Sequence, residues 1–229
     1  MLNRIKSKFL NKHSVISQQQ DIIGKLNMSA IKFNSFLPHT GSSLRYSSIN
    51  YLLNDVIINK RRNIIEFGGG ISTIYLSKLA IVNGLKMNII TVENNKNWIN
   101  VIKDFLDKEE LSSTVKIIHS PLINSKKTLN NNLWYNENTI KTHIKGTMFD
   151  LVIIDGPMAY TKHEELSRYP ALPFIKQYLN KKHAIFLDDT NRKGEQTIIK
   201  IWEKELGNKF VKLNTTSHIS LSGDSMNIK

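Results

Sequence analysis

The chain has 229 residues and a mass of 26.3 kDa, with 40% hydrophobic residues, 22% charged residues and no cysteine. That length suits one α/β domain with a helical extension, and the lack of cysteine excludes disulfides, zinc–thiolate centres and cysteine nucleophiles. A net charge of +13 and a pI near 9.8 point toward an anionic partner such as nucleic acid, a membrane surface or an acidic substrate.

The charge is a weak pointer, because lysine is abundant throughout and no segment alternates basic residues with aromatics as a nucleic-acid stacking platform does. No apolar run approaches the ~20 residues needed to cross a bilayer, and the first residues show no signal-peptide core. A cytoplasmic protein is expected.

Met1 to Leu26 sets Arg4, Lys6, Lys8 and Lys12 among Leu2, Ile5, Phe9 and Leu10, with no acidic residue before Asp21. It reads as a solvated, partly frayed basic arm, with a short amphipathic surface helix or a transit peptide as the alternative. From Leu44 to Asn59 the apolar positions Ile49, Leu52, Leu53, Val56 and Ile57 recur at helical spacing, and Lys60, Arg61 and Arg62 suit a helix C-terminus. The preceding loop, Pro38 to Ser43, is polar, turn-rich and placed to cover a ligand. Residues 1–62 are therefore expected to form an N-terminal helical extension or lid, and residues 63–229 the main domain.

That domain opens on an apolar run, Asn63 to Phe67, which breaks into Gly68, Gly69 and Gly70 and then Ser72 and Thr73. A buried strand, a tight glycine turn and a helix start make an anion cradle: glycine permits φ > 0 and close approach, and the helix N-terminus presents unpaired N–H groups. The helix runs through Ile74, Leu76, Leu79 and Val82 to a stop at Gly84, and Met87 to Val92 forms a second strand ending in Glu93. Beyond Asn97 a helix places Trp98, Val101, Ile102, Phe105 and Leu106 on one face, read as core, and Val115 to Ile118 gives a third strand closed by His119, Ser120 and Pro121.

Leu122 to Thr147 is asparagine-rich and irregular apart from Trp134 and Tyr135, the composition of a functional insert or mobile segment. Asp150 to Ile154 is the most apolar strand and ends in Asp155, Gly156 and Pro157. A helix through Phe174, Ile175, Tyr178 and Leu179 follows, then a strand from Ala184 to Leu187 ending in Asp188 and Asp189, then a helix from Glu195 to Leu206. Phe210 to Leu213 and His218 to Leu221 read as a closing antiparallel pair. The fold expected is α/β: a doubly wound, mostly parallel seven-stranded sheet with an antiparallel C-terminal strand pair and an N-terminal helical extension. In such sheets ligands lie at the carboxyl ends of the strands, which is where Glu66, Glu93, His119, Asp155, Asp188 and Asp189 fall.

With these elements in place the chain resembles the class I S-adenosylmethionine-dependent methyltransferases, whose fold is Rossmann-like, from about Asn63 onward. Glu66-Phe67-Gly68-Gly69-Gly70 is similar to the family's ExGxG motif, Glu93 to the acid ending its second strand, and Phe149 to Pro157 to its fourth-strand motif. Asp155 with Asp188 and Asp189 resembles the catechol-type small-molecule O-methyltransferases, and the overall pattern resembles methyltransferases of bacterial glycan loci.

The resemblance implies that Gly68, Gly69 and Gly70, with Ser72 or Thr73, hold the methionine end of S-adenosylmethionine, that Glu93 takes the ribose hydroxyls, and that His119 and Ser120 contact adenine. Glu66 organises the glycine loop or meets the cofactor's amino group. Asp155, Asp188 and Asp189 are the candidate ligands of a Mg²⁺ ion that would activate the acceptor hydroxyl, with capping and an ion pair to Arg192 as the alternative role for Asp188 and Asp189. The catechol-type pattern has a lysine base three positions after its first metal aspartate; Met158 stands there, so Asp155, Lys162 and His163 are the candidate catalytic residues.

The acceptor implied is a small molecule or a glycan precursor, with His39, Arg45, Tyr46, Trp134, Tyr135, Tyr160 and Arg168 as pocket candidates by position. Three other functions stay open: an RNA methyltransferase, which the basic charge favours; a nicotinamide-dependent oxidoreductase, which Thr73 at the third glycine position of GxGxxG disfavours; and a cofactor-binding module without catalysis. A homodimer is also left open.

Overall fold

The computed structural model describes residues 2–228, with side chains described from residue 15 onward. Helix α1 (Leu2–Met28) leads to α2 (Tyr46–Ile58), and then β1 (Asn63–Phe67), α3 (Ile71–Val82), β2 (Asn88–Glu93), α4 (Lys96–Lys108) and β3 (Val115–His119) follow. The side chains of Arg4, Lys6, Lys8 and Lys12, on which the basic-arm reading rests, lie outside the described residues. An insert then carries the hairpin β4 (Leu122–Asn124) and β5 (Leu133–Tyr135) and the helix α5 (Glu137–Ile144). The chain closes through β6 (Phe149–Ile154), α6 (Ala171–Ile175), β7 (Leu179–Leu187), α7 (Lys193–Leu206), β8 (Val211–Lys212) and β9 (His218–Leu221).

Seven strands form one sheet in the order β3-β2-β1-β6-β7-β9-β8, parallel from β3 through β7 and antiparallel at β9 and β8. The alternation of side chains along each strand splits the core into two layers. Ile65, Phe67, Val152, Ile154, Ile185 and Leu187 face Trp134, Phe174, Ile198 and Trp202 on one side. Ile64, Leu151, Ile153, Ala184 and Phe186 face Ile49, Leu52 and Val56 of α2 and Tyr75, Leu76 and Leu79 of α3 on the other. With both faces covered, β1 and β6 can be almost wholly apolar, which is why they read so clearly in the sequence.

The insert departs from the sequence reading, since it holds a hairpin and a helix in place of an irregular segment. Its strands are three residues each, too short to show periodicity, yet Trp134 and Tyr135 are fully buried. The Asn136 side chain accepts from the N–H groups of Asn138 and Thr139 and so caps α5, one of the roles for which short amide side chains are preferred. The strand β7 also begins earlier than its apolar portion, taking up Leu179 to His183.

Strand order reverses between β1 and β6, so their carboxyl ends open a crevice.

Candidate active site

The ends of β1, β2 and β6 meet at a cleft of about 310 Å³. Its floor is made by two glycines. Gly68 has φ +91°, and a Cβ there would sit 2.8 Å from the Gly156 nitrogen, so β1 and β6 leave the sheet backbone against backbone. Gly70 faces open space on the cleft side, where a Cβ would meet nothing within 4 Å. Thr40, Ser42, Ser43 and Leu44 form the wall on the α2 side, and Tyr160 donates to the Ser42 hydroxyl across the mouth at 3.2 Å.

The glycine loop is held from beneath by Glu66. This carboxylate is wholly buried and accepts hydroxyl hydrogen bonds from Ser72, Thr73 and Thr91. Burial raises its pKa to about 7, against the pull of those three donors. The loop N–H groups are also engaged within the protein: Gly68 donates to the Val92 carbonyl at 2.9 Å, Gly69 to Glu93 Oε2 at 3.1 Å and Gly70 to the Thr73 hydroxyl at 3.1 Å. Ser72 and Thr73 are buried and directed at Glu66, so the anion-binding capacity of the turn rests on the first N–H groups of α3 beyond Gly70.

Glu93 ends β2 and lines the cleft, its Oε1 accepting from the Asn94 and Asn95 N–H groups at 2.7 and 2.8 Å. These bonds fix the carboxylate and leave acceptor capacity toward the cleft. Trp98, in the first turn of α4, donates from Nε1 to the Gly69 carbonyl at 2.7 Å and lines the cleft with Glu93. Tyr135 reaches the cleft from the insert. Its hydroxyl is buried with no protein partner, beside the place a Cβ on Gly156 would need, and burial drives its pKa well above the ordinary phenol value.

Beside the glycine loop, at the ends of β6 and β7, the residues are ionic. Asp155, Asp188 and Asp189 bring carboxylate oxygens within 4.8 Å of one another. Arg168, only 2% exposed, lies among them: Nη2 is 2.9 Å from Asp189 and 3.5 Å from Asp155, Nε donates to the Pro157 carbonyl at 3.1 Å and Nη1 to the Asp188 carbonyl at 3.3 Å. Arg192 closes on Asp189 at 2.8 Å and stacks on Tyr160. Burial, then the Asp188 charge, push the Asp155 carboxyl well above its usual range, with Arg168 pulling it back; burial and Asp189 raise Asp188 to about 7. Burial alone would lower the Arg168 pKa, but Asp155, Asp189 and Glu195 outweigh it. Oxygen donors of this kind suit a hard divalent ion, yet the guanidinium already pairs with two of the three carboxylates, Asp155 and Asp189, and the residues do not fit both cations at once.

No protein-family model matches the chain, and no curated protein sequence matches it either. Solved structures do. An SAH-bound methyltransferase from Podospora anserina superimposes with a TM-score of 0.63 at 14% identity, covering 95% of this chain and 96% of that one. The O-methyltransferase TomG from Streptomyces achromogenes, in complex with SAM, gives 0.59 at 12% identity over 90% and 98% of the two chains. An O-methyltransferase from Bacillus cereus, in complex with SAH, gives 0.56 at 16% identity over 93% and 97%. The chain has the fold of these methyltransferases.

Within that methyltransferase fold, the remaining candidate residues divide sharply. His119 sits beside Glu93 in the sheet, but its ring contacts the Asn94 carbonyl at 3.2 Å and does not line the cleft. Ser120 is wholly buried and bonds to the Asn136 carbonyl. Lys162 and His163 are exposed, on a turn outside the cleft. Arg45 points to Ser17 and Asp21 of α1, His39 stacks on Tyr46 with its ring 4.6 Å away, and Trp134 belongs to the core; only Tyr135, Tyr160 and Arg168 of the positional candidates line the cleft. Trp98, a core residue by its helical spacing, lines the cleft instead. Its position in the first helical turn after the Glu93 strand end is the available signal, masked by the apolar stripe it begins.

Proposed function

We propose that the chain is an S-adenosylmethionine-dependent O-methyltransferase acting on a hydroxyl of a small molecule or glycan precursor. One observation carries this: one cleft at the strand-order reversal is lined by a fixed acceptor carboxylate, Glu93, by the glycine loop and by Asp155 with its Arg168 partner. Glu93 and the loop suit a nucleoside and amino-acid cofactor, and Asp155 with Arg168 a proton-bearing acceptor. The group fits the residues present, since Gly70 leaves space where a Cβ would intrude, Glu93 retains acceptor capacity and the buried Tyr135 hydroxyl has no protein partner. S-adenosylmethionine, when bound, supplies an electrophilic methyl on a sulfonium and departs as S-adenosylhomocysteine.

The chain's own residues then have separable tasks. Glu93 holds ribose hydroxyls, Trp98 flanks the nucleoside, and Glu66 with Ser72 and Thr73 keeps the loop in shape. His119 and Ser120 support the adenine side through the backbone they pin. The Asp155–Asp188 pair takes the acceptor's hydroxyl proton at one of its oxygens, a role favoured by burial, which raises both carboxyls above their ordinary range. Alignment of the acceptor for in-line displacement supplies much of the acceleration. The segment of residues 37–45, bridged to Tyr160, serves as the lid. A Mg²⁺ ion would draw on Asp155, Asp188 and Asp189; Arg168 bears against that version of the mechanism.

Calorimetry with S-adenosylmethionine and S-adenosylhomocysteine is the direct test. Binding by the wild type, weakened about 10- to 100-fold in Glu93→Ala, is expected, since a bidentate charged acceptor is removed. No binding with or without Mg²⁺, or tight binding of a nicotinamide dinucleotide instead, would sink the proposal.

A further inference from the structure

Arg168 has more contacts than a surface ion pair requires. Its Nε and Nη1 donate to two backbone carbonyls, those of Pro157 and Asp188, which lock the planar fork in place, and Nη2 is then presented to Asp189 and Asp155 at 2.9 and 3.5 Å. Glu195, almost fully buried, lies behind it with both carboxylate oxygens lacking a hydrogen-bond partner, 3.9 Å from Nε. Three carboxylates, those of Asp155, Asp189 and Glu195, thus lie within 4 Å of one guanidinium, with Arg192 at the rim. A dication entering among Asp155, Asp188 and Asp189 would have to expel that guanidinium from a site where it is 2% exposed, or sit against it as a like charge.

We propose that Arg168 is the resident cation of the acceptor end of the cleft and takes the place of a divalent metal, so that the chain binds and deprotonates its acceptor without one. This rests on the O-methyltransferase reading. In the step it serves, the acceptor O–H bond breaks and its proton passes to the Asp155–Asp188 pair while the oxygen forms a bond to the methyl carbon. The carbon–sulfur pair remains on sulfur. Arg168, which lines the cleft beside Asp155, keeps the carboxylates from repelling the acceptor oxygen as negative charge develops, which a fixed guanidinium does without a metal's need for open coordination positions.

The test titrates Mn²⁺ into the full chain and follows the electron paramagnetic resonance signal of unbound ion, alongside turnover and S-adenosylhomocysteine calorimetry with and without EDTA. For the wild type we expect no stoichiometric Mn²⁺ uptake and no effect of EDTA on affinity or turnover. Arg168→Met should lose about 100-fold in turnover and gain one Mn²⁺ per chain, a gain that a merely structural role for Arg168 would not produce. One Mn²⁺ per wild-type chain, lost in Asp189→Asn, overturns the proposal, as does a folded Arg168→Met that takes up no ion. If Arg168→Met does not fold, the wild-type titration and EDTA response still decide. Absence of S-adenosylhomocysteine binding would strike the methyltransferase reading separately, since the metal titration does not depend on the cofactor.

Discussion

Glu66 is completely buried and yet carries three hydroxyl donors, two from the first turn of α3 and one from Thr91 on β2. The hydrogen bonds favour the carboxylate and burial favours the acid; burial wins, and the group titrates near 7 in the folded chain against 4.5 as its ordinary value. Between those values the folded state holds more protons than the unfolded state, so the Glu66 contribution falls as pH rises through that window and is fully lost above 7. The shift corresponds to a penalty on the order of 3 kcal/mol. Urea unfolding of wild type and Glu66→Gln from pH 5 to pH 8 checks this: the wild type should lose stability relative to the variant as pH rises. A constant difference would mean that Glu66 does not titrate in that range. The residue was legible as an acid under the glycine loop, but its three hydroxyl partners were not, because Thr91 lies on the adjacent strand and only register brings it there.

At the scale of the element, the unit that matters is β1, the glycine loop and α3. Its apolar run, its glycines and its hydroxyl pair could be read from the chain directly, since strand, turn and helix start are local features. What could not be read is that the three glycine N–H groups bond inward, since their acceptors, Val92, Glu93 and Thr73, come from the next strand and the next turn. The same limit applies to Arg168. It lies on a loop with no periodic pattern, and only folding brings it to Asp155 and Asp189. The glycines themselves separate two roles. Gly68→Ala places a Cβ against the Gly156 backbone at φ +91° and should cost about 2–4 kcal/mol, visible as a melting temperature lower by roughly 5–10 °C. Gly70 is extended at φ −171° and opens onto the cleft, so Gly70→Ala should cost no more than about 1 kcal/mol in stability while weakening S-adenosylhomocysteine binding. Equal losses of stability in the two variants would contradict this division.

Over the whole molecule, one apolar layer joins segments that the sequence separates. The division at residue 62 follows a change of pattern, from helix and basic cluster to buried strand. In the folded chain, however, Met28, Leu44, Ile49, Leu52, Leu53 and Val56 pack in the same cluster as Ile64, Leu151, Ile153, Ala184, Phe186 and Ile219. Below α2, Arg61 and Asp55 form a wholly buried ion pair at 2.8 Å, and Arg61 also donates to Ser225 near the other end of the chain. The helix was legible from its spacing; its destination was not, because helical periodicity gives the buried face without naming what covers it. The six side chains before residue 63 contribute on the order of 10 kcal/mol of burial at ~1.5–3 kcal/mol each, comparable to the whole net stability of a domain. A chain beginning at residue 63 should therefore expose the face of β1, β6 and β7 that α2 covers. It should unfold without a cooperative transition, bind a hydrophobic dye and fail to bind S-adenosylhomocysteine, as measured by thermal melting and calorimetry. A sharp melt with retained cofactor binding would show instead that residues 1–62 are a detachable extension and that the strands beyond them hold a sufficient core of their own.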